Sequence, residues 1–377
     1  MARDVIERKL TAAKTGRVCF AVATEDDDAD IRRLLRANPM PGKISLSLER
    51  EPDFFADANL PGETKQTIIA RDGNRIVCMG SCTIRQRFVN GEPRRVGYLG
   101  GLRLDASQAG RFDILRRGYE FFHELQADTP ADFYFTSIAA DNERARTLLE
   151  RGLPGMPSYE FIGEYVTVLL SAKGRHSVQN IEEDIAPPAG QLIALLNNNN
   201  CTQQFTPCWS EDELSALQQL GLQPDDFRFI REDGRIVAGA ALWNQRMFKQ
   251  TVVRGYTPSL TLARPALNLA ARFTRGTKLP TVGQTLTNAF VSHLAIAPDK
   301  PDTLTKLLTK LREIAAQRKI ELLTLGFAAN DPRLTVVRRN FRCREYHSRL
   351  YIVRWPECGG AARELDGRIL APEVALL

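Results

Sequence analysis

Residues 94–125 read RRVGYLGGLRLDASQAGRFDILRRGYEFFHEL, and this stretch decides the fold. Residues 94–104 are extended and mostly aliphatic, and residues 105–110 are small and polar. From Arg111 onward the apolar residues recur at helical spacing, at Phe112, Leu115, Tyr119 and Phe122. The order predicts a strand, a turn and a helix. Backbone N–H groups at such a helix start favour an anion, above all a pyrophosphate, although an ordinary connection between strand and helix has the same pattern.

Length and composition indicate a globular protein of two domains. The chain has 377 residues, of which 43% are hydrophobic and 25% charged. Its net charge of +6 favours anionic ligands, but Lys and Arg are spread along the chain, so nucleic acid is not favoured as a partner. The charged N-terminus does not resemble a signal peptide, and no apolar run reaches about 18 residues. We therefore expect a cytoplasmic protein with no membrane partner.

Cysteine and histidine usage predicts neither disulfides nor metal. The seven Cys are an odd number without clustered spacing. Cys78 and Cys82 are close in sequence, but four residues of a strand span roughly 13 Å, beyond disulfide reach, so we interpret both as core thiols. The four His are scattered, with no partner at ligand spacing. We expect no metal site.

The remaining periodicities of the first half predict an α/β fold with a mixed, mostly antiparallel sheet and helices on both of its faces. A turn at Asp72 and Gly73 predicts a hairpin, and Asn90-Gly91 predicts the next turn. The other predicted elements are strands over 18–24, 132–138 and 160–170 and helices over 28–38, 47–58 and 142–151.

Internal repetition predicts two similar halves. Residues 138–153 align with 327–341 when Asn142 is set on Asn330, the hairpin at 70–77 resembles 231–237, and the strand 102–104 matches 294–296. We therefore divide the chain into a first domain at 1–172, a linker at 173–188, a second domain at 189–355 and a tail at 356–377. The Asn run at 197–200 is expected to end the first helix of the second half and to lie in a loop. An insertion at 243–284 contains a predicted helix over 260–273, which either caps a ligand site or fills the interface between the halves; we favour the second.

These elements and patterns resemble the GNAT superfamily of acyl-CoA-dependent N-acyltransferases, in particular its tandem two-domain members. In that family a bulge in the central strand pairs with the pantetheine arm of the donor, and the following turn holds the pyrophosphate. The resemblance implies a bulge strand at Leu102, Arg103 and Leu104 and a turn at Gln108, Ala109, Gly110, Arg111 and Phe112. Gly110 is the one glycine of this turn.

A second family motif matches the helix that follows the next strand, through Asn142, Ala145, Glu150 and Gly152. The resemblance implies that Asn142 hydrogen-bonds the pantetheine. The family's frequent proton donor, a tyrosine, is replaced here by Leu149. As alternatives we consider Tyr98 and Tyr134, although for each of them we favour a packed aromatic residue, and the acids Glu92 and Asp105.

The resemblance implies an N-acetyltransferase that transfers an acetyl group from acetyl-CoA to a small-molecule or peptide amine. The sequence leaves the oligomeric state open, with a dimer as one candidate. A transferase drawing on aminoacyl-tRNA, of the peptidoglycan-bridge type, and a non-catalytic CoA-binding or regulatory protein are the alternatives. We expect the donor site in the first half alone. The corresponding turn of the second half, residues 297–302, has no glycine, and its two prolines lack backbone N–H groups.

Overall fold

The computed structural model describes residues 18–58, 60–173, 187–273, 278–355 and 364–377. The proposed linker at 173–188 and tail at 356–377 lie partly outside these residues, and the domain limits stay a prediction. In the first half the strands are β1 (Cys19–Val22), β2 (Ile44–Glu49), β3 (Glu63–Asp72), β4 (Arg75–Val89), β5 (Glu92–Leu104), β6 (Phe133–Ala139) and β7 (Ser158–Ser171). In the second half they are β8 (Phe227–Glu232), β9 (Arg235–Trp243), β10 (Gln250–Tyr256), β11 (Asn288–Ile296), β12 (Leu322–Ala328) and β13 (Cys343–Arg354).

Eight α-helices are assigned in the described residues. The first half contributes α1 (Asp28–Ala37), α2 (Phe112–Gln126) and α3 (Glu143–Glu150). The second half contributes α4 (Ala189–Asn200), α5 (Glu211–Leu217), α6 (Pro258–Phe273), α7 (Thr303–Gln317) and α8 (Pro332–Asn340). The strand, turn and helix predicted from residues 94–125 are confirmed as β5, a short 3₁₀ turn and α2.

Eleven strands form one sheet in the order β1-β3-β4-β5-β6-β13-β7-β12-β11-β9-β8. The two halves exchange their last strands within it. β7 of the first half pairs with β12, and β13 of the second half pairs with β6. The exchanged strands also pair with each other in an antiparallel ladder from Cys343 to Arg354. Each half therefore depends on the other for an inner strand of its sheet, and the predicted α/β fold with a mixed, mostly antiparallel sheet is confirmed in this interlocked form.

Helices cover the sheet with the apolar faces that the sequence predicts. In α7 the residues at core spacing, Leu304, Leu307, Leu308 and Leu311, are all fully buried. Around them lies a core cluster that includes Val168 and Leu170 of β7, so the exchanged strand is part of the second half's core. In the first half Ile31, Leu34 and Leu35 of α1 pack against Ile69 and Ile76. Cys78 and Cys82 are buried as free thiols, as predicted.

Three local predictions are wrong. The segment 47–58 contains no α-helix: residues 44–49 form β2, which pairs with β10 of the second half's insertion in a separate two-stranded sheet. Phe54 does face inward, at 4% exposure. The Asn run at 197–200 does end the first helix of the second half, but as the last turn of α4 and not in a loop, and there Asn197 and Asn200 bond the backbone of Trp209 and Pro207. The helix of the insertion, α6, is exposed along most of its length instead of filling the interface.

No helix in the described part of the chain has the length and apolar character needed to cross a membrane.

Candidate active site

The central feature of the site is an opening between two neighbouring parallel strands. β5 and β6 pair from Val96 with Phe133 to Leu99 with Thr136. Among the described residues no pairing between them extends further, although β5 runs on to Leu104. Beyond Leu99, backbone groups of β5 on this side therefore face an opening in the middle of the sheet instead of a neighbouring strand.

A bulge lies at the start of this opening. The register between β4 and β5 shifts between Met79 and Ser81, where β5 contains one more residue than β4. Gly101 within the bulge has φ of +65°, a left-handed conformation that favours glycine, and a side chain there would meet Ser81 Oγ at 3.6 Å. The bulge therefore consists of Gly101 and Leu102. The resemblance placed it at residues 102–104, so the observed and expected positions overlap at Leu102.

A cavity of about 950 Å³ is continuous with this opening. It reaches both halves of the protein, from Tyr98, Gly101 and Leu102 in the first half to Phe290 and Leu322 in the second. Lining residues on the helical side of the first half are apolar or small: Phe20, Ile114, Leu115, Gly118, Tyr119, Phe122 and Leu149. A cavity of this size is large enough for a flexible chain as well as a polar reactive group.

The turn between β5 and α2 is open but offers fewer free amides than the sequence suggests. Gly110 has φ of +90°, and none of the described residues lies within 4 Å of a Cβ added there. However, the N–H of Arg111 donates to Gln108 and that of Phe112 to Gly110, so several amides already have local partners. Arg111 itself is ion-paired with Asp113 at 2.8 Å. The turn can accommodate a phosphate, with less backbone support than a row of free amides would give.

Two other arginines near the start of α2, Arg116 and Arg117, have partners of their own. Arg117 donates to the backbone oxygen of Val18 and stacks over Phe20 at 4.8 Å, and Arg116 lies 3.8 Å from Glu120. Asp105, considered as a catalytic acid, instead caps the turn by accepting from the backbone and side chain of Ser107. These bonds, with the ion pair to Arg75, lower the pKa of Asp105 and make it a structural anion. Glu92 is exposed at the start of β5, away from the cavity lining.

The two tyrosines proposed from the sequence have different surroundings. Tyr98 lines the cavity with its ring 5.1 Å from that of Phe135, and burial raises its pKa to about 12. Tyr134 is 7% exposed and lies in the core, where its hydroxyl accepts from the N–H of Ala131 and donates to Gln126 at 3.4 Å. Tyr98 is therefore accessible to a ligand in the cavity, whereas the hydroxyl of Tyr134 is used within the core.

Asn142 caps helix α3, as its position in the motif suggests. Its Oδ1 accepts from the N–H of Ala145 at 3.2 Å, and the residue also lines the cavity. The Nδ2 group, which the cap does not use, can donate to a ligand. Leu149, at the position of the family's tyrosine, lines the same cavity. Leucine has no hydroxyl group, so position 149 cannot supply the proton donor.

A tyrosine that sequence reasoning missed faces the opening from the exchanged strand. Tyr346 of β13 lines the cavity, is 38% exposed, and lies beyond the end of β6 in the sheet. Burial raises its pKa to about 12, with Asp141 adding to the shift and Arg103 opposing it. Its phenol carries its proton near pH 7 and can donate it, as a weaker acid than an ordinary tyrosine. No local motif marks Tyr346, because only the strand exchange brings it beside the first half's bulge strand.

A cluster of charged side chains forms another wall of the cavity. Asp57 pairs with Arg50 at 2.5 Å and with Lys65. Burial tends to raise the pKa of Asp57, but these two cations outweigh it and hold the pKa well below its ordinary value. Lys249 of the insertion also lines the cavity and donates to the backbone oxygen of Leu377 at 2.6 Å. Burial, reinforced by Arg50, lowers the pKa of Lys249 to about 7. Lys249 can therefore exchange a proton near neutral pH.

The second half has the same bulge and the same separation of strands. The register between β9 and β11 shifts between Ser292 and Ala295, with His293 at φ of +55°. β11 and β12 pair from Asn288 to Phe290, and in the described residues their pairing stops there. His293 stands where the first half has Gly101, in the alignment of 294–296 with 102–104. The two halves thus share the architecture around the opening but differ in the residue at its bulge.

In the second half, side chains occupy the space beside the bulge and hydrogen-bond its backbone groups. The carboxylate of Glu373 accepts from the N–H of His293 at 3.0 Å. Asn199 accepts from the N–H of Ile296 at 3.2 Å and donates to the backbone oxygen of Leu294 at 3.3 Å. The His293 ring is buried and stacks on Trp209 at 4.3 Å. Burial, reinforced by Arg85, lowers the pKa of His293 to about 3, so the ring is neutral.

No group of three or more His, Cys, Asp or Glu able to hold a metal ion is found in the described ranges.

Models of known protein families give no match to this chain. The curated proteins give no sequence match either. Solved structures do match in fold. Two structures of Saccharomyces cerevisiae N-myristoyltransferase with bound myristoyl-CoA have TM-scores of 0.59 and 0.60 and identities of 9% and 10%. They cover 92% and 91% of this chain and 86% and 80% of their own.

A GCN5-related N-acetyltransferase from Sphaerobacter thermophilus has a TM-score of 0.53 and 12% identity, over 90% of this chain and 96% of its own. At such identities the likeness shows the fold alone. The strand order, the bulge, the opening between β5 and β6 and these structural matches together show that the chain has the GNAT fold, with two GNAT-like halves.

Proposed function

We propose that the protein is an acyl-CoA-dependent N-acyltransferase whose donor site lies in the first half. The observation that supports this best is the opening between β5 and β6, where backbone groups after the Gly101 bulge face a large cavity. An amide-rich arm such as pantetheine can pair with these groups as a neighbouring strand would. Asn142 Nδ2 offers one further donor, and the open turn at Gly110 leaves room for the pyrophosphate.

The side chains around the cavity fit direct acyl transfer to an amine. The amine nitrogen bonds to the thioester carbonyl carbon, and the carbon–sulfur bond breaks. The amine must lose a proton, and Lys249, with a pKa of about 7, supplies the base. The CoA thiolate must gain one, and the neutral phenol of Tyr346 supplies it, with Tyr98 as the second candidate. Close positioning of donor and amine contributes the rest of the rate.

The cavity favours an acyl group longer than the acetyl group expected from the sequence. Its apolar wall between the sheet and α2, including Phe20, Leu115 and Phe122, exceeds what a two-carbon group can contact. Each methylene buried there adds about 0.8 kcal/mol of binding free energy. The myristoyl-CoA bound to the yeast enzymes of similar fold is a donor of this kind. We therefore propose a medium- or long-chain acyl-CoA as donor, and a small-molecule or peptide amine as acceptor.

We infer that the second half contributes walls and catalytic groups instead of a second donor site. The backbone groups at its bulge already bond Glu373 and Asn199, and His293 fills the space beside them. Lys300, the one cation of its 297–302 turn, pairs with Glu232 at 2.8 Å. Both Lys249 and Tyr346 come from this half. Such a division of labour fits duplication of one ancestral domain followed by divergence.

Mass spectrometry of the purified intact protein tests this proposal. Native spectra should show a bound mass equal to CoA or an acyl-CoA, and the denatured sample should identify the acyl chain. Incubation with acyl-CoA and a mixture of amines should then release free CoA. Acyl-CoA binding without any turnover would favour the alternative of a regulatory protein. Failure to bind any acyl-CoA, from acetyl to myristoyl, would refute the proposal.

A further inference from the structure

Helix α6 has its polar side facing the protein and its apolar side facing solvent. Leu262, Leu269 and Phe273, at 85%, 55% and 81% exposure, lie on one face of the helix at spacings of seven and four residues. On the opposite face Arg264 donates to the backbone oxygen of Leu279, and Asn268 both donates to and accepts from the same residue. This is the reverse of a helix that packs on a core. We call the three exposed residues the α6 stripe.

The segment that carries the α6 stripe is uniformly cationic. Residues 243–284 include seven Lys and Arg and no Asp or Glu, although Lys249 lines the cavity and Arg254 is paired with Glu49. At the nearby mouth of the cavity Lys278 of this segment is exposed, together with two further cations, Lys43 and Arg344. The start of α6 is tied to this mouth, because the N–H of Thr257 donates to the backbone oxygen of Lys43. The α6 stripe and the cavity mouth therefore belong to one apolar and basic surface.

Two of the acidic residues near this surface form ion pairs. Glu49 pairs with Arg254, and Glu345 pairs with Arg338 at 2.8 Å. Asp141, also in the cavity lining, stands near Tyr346. The positive charge of the surface is thus only partly compensated from within the protein.

We propose that the α6 stripe docks on an anionic lipid bilayer, with the cavity mouth beside the membrane surface. An apolar helix face rimmed by Lys and Arg lies in the interface of a bilayer, where leucine and phenylalanine enter the acyl boundary and the cations meet acidic headgroups. A second copy of this chain is a poorer occupant, because symmetric pairing would bring two cationic segments together. The sequence alone led us to expect no membrane partner; the exposure of α6 is what changes that expectation.

Sedimentation with vesicles tests the docking. The intact protein should bind vesicles of phosphatidylcholine with about 30% phosphatidylserine, and it should bind less to pure phosphatidylcholine or at high salt. A variant with Leu262→Ser, Leu269→Ser and Phe273→Ser should bind at least about tenfold more weakly, since it loses the apolar groups that enter the bilayer. These side chains are exposed, so the melting temperature should stay unchanged.

Phe161→Ser is the matched control, since Phe161 is 45% exposed but lies on β7, outside the cationic segment. It should bind vesicles as the unaltered protein does. Equal binding by the triple variant, or no binding by the unaltered protein, would overturn the proposal. So would a dimer in solution that the triple variant dissociates without any measurable vesicle binding, because the α6 stripe would then serve a second copy.

Discussion

Gly118 offers a direct way to change the proposed acyl pocket. It lies on α2 in the cavity lining, and a Cβ added there would stand 3.4 Å from the ring of Phe20, another lining residue. A Gly118→Leu change places a branched side chain in this space and shortens the room for the acyl chain. If it displaces two or three methylenes of a long chain, the loss is about 2 kcal/mol, or about thirtyfold in kcat/KM.

Short donors should be spared by the same change, because an acetyl group does not reach α2. The assay is CoA release with a series of acyl-CoA donors from acetyl to myristoyl. The preferred chain length should fall in Gly118→Leu, while Gly118→Ala, which adds one methyl group within a helix, should keep the original preference. An unchanged profile in a folded Gly118→Leu variant would show that the acyl chain does not lie between the sheet and α2.

Three more predictions concern the donor turn and the proton transfers. Gly110→Glu should weaken CoA binding measured by calorimetry, through bulk, charge and the left-handed backbone, whereas Gly234→Glu, at an equally open left-handed site in the second half, should not; equal affinities in both variants would contradict the turn assignment. Tyr346→Phe should lower kcat about a hundredfold with CoA affinity unchanged, and more than Tyr98→Phe does; the reverse order would identify Tyr98 as the proton donor. Because the lowered pKa of Lys249 leaves it neutral above about 7, kcat should rise with pH through that value. Lys249→Met should remove the rise, and a rise that persists would assign it to another group.

Much of the fold follows from local pattern. Residues 94–125 contain an extended segment, a glycine-containing turn and a helical period, and each of these signals is local enough to be read without tertiary contacts. The hairpin at Asp72 and Gly73 is of the same kind. β2 was misread as a helix, because its pairing partner β10 lies about two hundred residues further along the chain and leaves no local mark.

The site was only partly predictable for the same reason. The strand of the bulge, the turn at Gly110 and the cap at Asn142 belong to continuous motifs and could be located in the sequence. Tyr346 and Lys249 could not, since one arrives on an exchanged strand and the other on an insertion of the second half.

The strand exchange also limits how the asymmetry of the halves can be tested. An isolated second half would lack β7, whose Val166, Val168 and Leu170 are fully buried in the second half's core. A fragment beginning at Ala189 would therefore expose this core, and loss of binding would have no clear meaning. The intact chain is the appropriate sample.

Calorimetric titration of the intact protein with CoA is the measurement that bears most directly on the central claim. The first half presents open backbone groups at its bulge, and the second half has bonded the equivalent groups to Glu373 and Asn199. We predict one CoA per chain, with affinity reduced by Gly110→Glu. Two sites per chain, or no binding at all, would contradict the account.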